Sequence, residues 1–92
     1  MAITVRIPLT LRRLTGEQEV LEVQAATVAN VIDVMHARFN GIRDRIMDPQ
    51  TGCVRGSVLV FVNDEDIRFL QNEQTPLQDG DEISIVPAFA GG

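Results

Sequence analysis

With 92 residues the chain has room for one domain, and a composition of 45% hydrophobic and 23% charged residues is that of a globular one with a single modest core. Thirteen acidic against eight basic residues give a net charge of −5, a sign that opposes phosphate backbones and anionic lipid, so neither nucleic acid nor membrane is expected as a partner. The single cysteine, Cys53, excludes an internal disulfide and a cysteine-based zinc cluster.

The longest apolar run, VLVFV at 58–62, is far short of the roughly 20 residues a membrane span needs, and MAITVRIPLT lacks a signal-peptide layout, so a cytoplasmic protein is expected. All eight basic residues are arginine, which leaves no lysine amine for Schiff-base chemistry or isopeptide attachment. Codon bias towards arginine is the leading explanation of this composition.

In chain order, Ile3, Val5 and Ile7 alternate with Thr4 and Arg6, the period of a strand with one buried face, predicted over 2–8 and closed by Pro8. A turn at Thr15-Gly16 leads to a second strand, 19–23, close enough to pair as an antiparallel hairpin. Thr27 is placed to cap a helix over 28–39, whose Val28, Val31, Ile32, Met35 and Phe39 fall on one stripe. Asn40-Gly41 ends it, 42–47 can form a short further helical turn, and 48–56 is a loop.

A strand over 57–62 is apolar on both faces, with Val58, Val60 and Val62 on one and Leu59 and Phe61 on the other. One face must cover the helix, and either alternation suits that role. A turn at 63–66, a short returning strand at 67–69, a tight turn at 76–81 and a last strand at 82–87 complete the chain. This order predicts an α+β fold of the β-grasp type, a mixed four- to five-stranded sheet wrapped around one main helix. The domain is expected over 1–87, followed by a flexible tail, 88–92.

That tail reads Ala88-Phe89-Ala90-Gly91-Gly92. A backbone without Cβ atoms can enter a narrow channel, and from Pro87 the segment spans roughly 20 Å, enough to reach into another protein's active site. The reactive group would be the terminal carboxylate. With a pKa near ~3.5 it is an anion at neutral pH and a poor electrophile, so acyl chemistry would require activation, for example as an acyl-adenylate. A terminus of small residues with no chemistry is the other reading of the tail taken alone.

The stretches IPLTLRRLTGEQ at 7–18, RIMDP at 45–49, VNDEDIRF at 62–69 and LQDGDEISIVPAFAGG at 77–92 resemble the MoaD/ThiS family of ubiquitin-like sulfur carriers over most of the chain. The terminal di-glycine and the DGDEISIVP approach are family-wide. The first three stretches resemble its CysO-type branch, which serves cysteine biosynthesis. The resemblance implies that Gly92 is adenylated, with ATP, by a ubiquitin-activating-type enzyme and converted to a thiocarboxylate that donates sulfur. It implies that Gly91 gives access to the adenylating site. In the CysO-type route a cysteine synthase takes the sulfur onto an activated serine, and a JAMM-type zinc metalloprotease releases the product. Other acceptors within the family are molybdopterin synthase, thiazole, a thiolated siderophore and tRNA. A ubiquitin-like interaction module whose tail is never activated is the remaining alternative. Phe89 departs from the small aliphatic residue expected there in the CysO-type pattern.

Partner contacts are accordingly expected from Ala88, Phe89, Ala90 and Gly91, and from Leu59 and Phe61 as a docking face, since family members bind through the sheet as well as the tail. Asp64, Glu65 and Asp66 lack the spacing of a calcium loop, and no metal or bound cofactor is expected. Cys53, beside Arg55, reads as an incidental thiol and His36 as a boundary residue of the helix. No hydrolase arrangement such as G-x-S-x-G occurs, so a carrier rather than an enzyme is expected.

Overall fold

The computed structural model describes residues 1–88, and the sites expected at Phe89, Ala90, Gly91 and Gly92 lie outside the described residues. β1 (Ala2–Arg6) turns Ile3 and Val5 fully inward and pairs antiparallel with β2 (Val20–Gln24), Val5 opposite Leu21 and Ile3 opposite Val23. β1 is two residues shorter than expected. Ile7 still donates its N–H to the Glu19 carbonyl at 2.8 Å, but Pro8 has no N–H to continue the ladder. A 3-10 helix, Leu9–Leu14, follows and drops Leu11 into the core. Only tertiary contact selects Leu11 from the flanking leucines.

α1 (Val28–Arg38) begins where expected, with the Thr27 hydroxyl accepting the Asn30 N–H at 3.1 Å. Replacing Thr27 with alanine is expected to cost about 1 kcal/mol, read as a lower urea midpoint at unchanged m-value. Val28, Val31, Ile32 and Met35 are buried, whereas Phe39 leaves the helix as an extended C-cap residue and is only partly covered. Gly41, at φ +91°, takes the left-handed turn that launches α2 (Ile42–Ile46), whose Ile42 and Ile46 are completely buried.

β3 (Val58–Val62) and β4 (Glu65–Asp66) form a tight hairpin around Asn63 and Asp64, both at positive φ. The short returning strand expected at 67–69 is therefore corrected: the return is Glu65–Asp66, and Ile67–Phe69 is a 3-10 turn. The Asp66 carboxylate accepts the Arg68 N–H at 2.8 Å and so bends the chain away from β3. The Arg68 guanidinium also meets it at 2.7 Å, and these bonds hold the Asp66 carboxyl below the usual aspartate range against the opposing effect of burial.

A depressed carboxyl pKa contributes stability that is full above the unfolded value near ~3.9 and is lost as pH falls through the lower folded value. Acid titration of Asp66→Asn is accordingly expected to show a shallower loss of stability below about pH 4 than wild type. Equal acid slopes would refute this role for the pair.

β5 (Glu82–Pro87) has the bounds expected from sequence. It lies at the centre of the sheet, parallel to β1 (Val5 opposite Ile83) and antiparallel to β3 (Val60 opposite Ile85), in the order β2-β1-β5-β3-β4. This is the mixed five-stranded β-grasp sheet. Its core is aliphatic: Ile3, Met35, Ile42, Ile46 and Ile83 are the largest fully buried side chains, and no phenylalanine among the described residues joins them.

Candidate functional site

The parallel pairing of β1 and β5 requires both strands to start at one end of the sheet and finish at the other. The chain consequently leaves β5 at the end opposite to Met1. Ala88 is the last described residue, and its N–H donates to the Ser57 carbonyl at 2.9 Å, carrying the β3–β5 ladder one residue past Pro87. The root of the tail is thus fixed to the central strands.

The register settles which alternation of β3 faces outward. Val60 and Val62 are buried on the helix side, so Leu59 and Phe61 lie on the opposite face of the sheet, both half-buried. Val86 stands directly across from Leu59 and is 38% exposed. Leu59, Phe61 and Val86 form an apolar patch on the outer face beside the root of the tail. Val86 was not among the residues singled out from sequence, because in β5 it occupies the alternation of Ser84; only the pairing brings it against Leu59. Farther from the tail the same face is polar, with Arg6 and Glu82 in a 2.8 Å ion pair that raises the arginine pKa further.

The remaining candidates lie apart from this patch. Cys53 is exposed, and the Arg55 Nε donates to the Asp44 carbonyl at 2.7 Å. His36 is half-buried on α1, with an Nδ1 that has no partner among the described residues. Asp66 is committed to Arg68, and among the described residues no group of three or more His, Cys, Asp or Glu side chains could hold a metal ion. Among the described residues no helix is long and apolar enough to cross a membrane.

Comparison with known proteins identifies the family and the fold of the chain. The chain is 42% identical over 93 residues to the sulfur carrier protein CysO of Mycobacterium tuberculosis, covering all of both chains. The crystal structure of that species' CysO superimposes with a TM-score of 0.90 at 40% identity, over 95% of this chain and 99% of the other. A chain of the Amycolatopsis orientalis BexX/CysO complex gives 0.91 at 40% identity, over 99% of this chain and all of that one. A model of the ThiS family matches residues 5–92, a span that runs from β1 through the patch to the terminal di-glycine. By that match, by the β-grasp topology and by full-length identity to its members, the chain belongs to the ThiS family.

Proposed function

We propose that this protein is a sulfur carrier whose reactive group is the carboxylate of Gly92 and whose sulfur goes to cysteine biosynthesis. The observation that carries the reading is full-length similarity to the sulfur carrier protein CysO combined with the Gly91-Gly92 end. A carboxylate oxygen attacks the α-phosphorus of ATP on a ubiquitin-activating-type enzyme, and pyrophosphate leaves. A sulfide-level nucleophile then adds to the acyl carbon, and AMP departs with the bonding pair, leaving a thiocarboxylate. Gly91 and Gly92 lack the Cβ atoms that would obstruct entry to the adenylating site.

The thiocarboxylate sulfur is passed to a cysteine synthase acting on an activated serine, and a JAMM-type zinc metalloprotease frees the product from the carrier. The chain itself supplies a carried acyl group rather than a catalytic site. Leu59, Phe61 and Val86 serve as the docking patch, with Ala88, Phe89 and Ala90 as the segment the partner must accommodate. That a solved structure pairs CysO with a second protein, BexX, supports recognition of such a carrier by protein partners.

The test is incubation of the chain with ATP, a sulfide source and the adenylating enzyme encoded beside it. The expected product has the mass of one carboxyl oxygen replaced by sulfur. An unchanged mass, with the enzyme shown active on another carrier, would overturn the proposal. Cysteine formation on adding the synthase and serine donor then identifies the acceptor.

A further inference from the structure

Along one edge of β3 the sheet is unfinished. The Ala88 N–H donates to the Ser57 carbonyl and the Asn63 N–H to the Glu82 carbonyl, so residues 57, 59, 61 and 63 exchange their backbone bonds with the β5 side. Val58, Val60 and Val62 therefore turn their backbone groups to the opposite edge, where β4 pairs only with Phe61 and Val62. That short pairing directs the Ile67 N–H towards the Val60 carbonyl, after which the Ile67–Phe69 turn leads the chain away. At the start of the strand the Val58 N–H donates to the Arg55 carbonyl at 3.1 Å. Between these two ends the Val58 carbonyl and the Val60 N–H have no hydrogen-bond partner among the described residues, although Val60 is only 2% exposed.

Backbone groups placed this deep are normally matched, because leaving them unpaired is costly. In front of the edge lies a cavity of about 360 Å³, lined by Val54, Arg55, Val58, Leu59, Val60 and Ile67 among others. A carbonyl and the N–H two residues later on the same edge are the pair of groups that a parallel strand engages through a single residue. That residue stands opposite Leu59, gives its N–H to Val58 and accepts that of Val60. Its side chain continues the row Val86–Leu59 on the outer face, so an apolar one fits. A parallel strand enters from the Arg55 end. The Arg55 Nε donates to the Asp44 carbonyl, and its guanidinium forms no ion pair with a carboxylate among the described residues. Arg68, at the other end, is already held by Asp66. Glu73, which also lines the cavity, belongs to the turn at 72–74 beyond Ile67–Phe69 and not to the Arg55 loop.

We propose that this edge is a docking slot for an extended strand of a protein partner, running parallel to β3, with an apolar side chain opposite Leu59 and a carboxylate one or two residues before it to meet Arg55. This is strand addition, in which main-chain bonds supply affinity and the flanking side chains select the sequence. Two hydrogen bonds make a short slot and a weak isolated complex. Leu59 belongs both to the slot and to the Leu59–Phe61–Val86 patch, so a partner that covers the patch seats its strand in the same encounter. The outer edge of β2 is the natural comparison. There Val20, Glu22 and Gln24 also turn their backbone groups outward, but Val20 is 47% exposed and water reaches the edge.

The slot can be tested without any sulfur chemistry, so its failure and that of the carrier reading are distinguishable. The probe is a terminally capped hexapeptide, Glu-Glu-Val-Ile-Val-Thr, titrated to millimolar concentration into the isotope-labelled full-length protein and followed by amide NMR. The Val60 amide proton should move downfield by more than a linewidth, while the Val20 and Glu22 amides of β2 stay in place. Methylating the backbone nitrogen of the peptide's isoleucine should abolish the shift. Arg55→Glu should weaken binding about threefold, and a peptide with lysines in place of the glutamates should recover it. A nitroxide on the N-terminus of the peptide should broaden the Gly56 and Ser57 signals rather than that of Asn63. An unmoved Val60 amide, equal shifts at both edges of the sheet, or undiminished binding of the methylated peptide or by Arg55→Glu would overturn the proposal. Broadening at Asn63 would overturn the parallel direction and with it the pairing through Val58 and Val60.

Discussion

Deletion of Gly92 is expected to abolish sulfur loading while leaving the unfolding midpoint nearly unchanged. The shortened chain still ends in a glycine carboxylate, that of Gly91, but the carboxylate is withdrawn by one residue, about 3.5 Å along an extended backbone. Misplacement of a reacting group by 1 Å can cost about 100-fold, so loading should fall at least that far. The core is formed by residues that precede the tail, and the stability change should stay within about 0.5 kcal/mol. Mass spectrometry after incubation with ATP and sulfide reads the first effect and thermal unfolding the second. Loading at the wild-type rate would show that the reactive carboxylate does not require its position.

The second large effect is expected at the outer face of the sheet. Leu59→Asp places a charge in the middle of the proposed docking patch, between Val86 and Phe61, and loss of an interface anchor typically costs 2 kcal/mol or more. The KM of the adenylating enzyme for the carrier should therefore rise about 30-fold or more, with kcat little changed because the tail is intact. Phe69→Ser supplies the comparison, since Phe69 is 79% exposed on the 3-10 turn after β4 and lies outside the Leu59–Phe61–Val86 patch. Equal losses in the two variants would mean that general hydrophobicity, rather than this patch, governs recognition.

The elements with one strong period were legible before any coordinates. β5, α1 with its Thr27 cap, and the alternation of β1 each bury one face and expose the other, so polarity reveals their geometry. Two other segments had no such contrast, one left unassigned and one misread. Leu9–Leu14 carries three leucines with no single period and is shaped by Pro8 and the burial of Leu11. At 67–69 an apolar-polar-apolar triplet imitates a strand, but the Asp66 side chain captures the Arg68 N–H and the backbone turns away. Local side-chain capture of the backbone outweighed the pattern there.

The sequence by itself determined the family, the β-grasp order of elements and the Gly91-Gly92 end, because these depend on residue identity and on repeats of two or about 3.6 residues along the chain. Tertiary structure decided which face of β3 remains available. Val58, Leu59, Val60, Phe61 and Val62 are all apolar, and no local property distinguishes the two alternations; packing of Val60 and Val62 towards the helix leaves Leu59 and Phe61 outside. It also placed Val86 against Leu59. This results from pairing strands far apart in sequence, and that register is set by burial of the whole sheet rather than by any single strand.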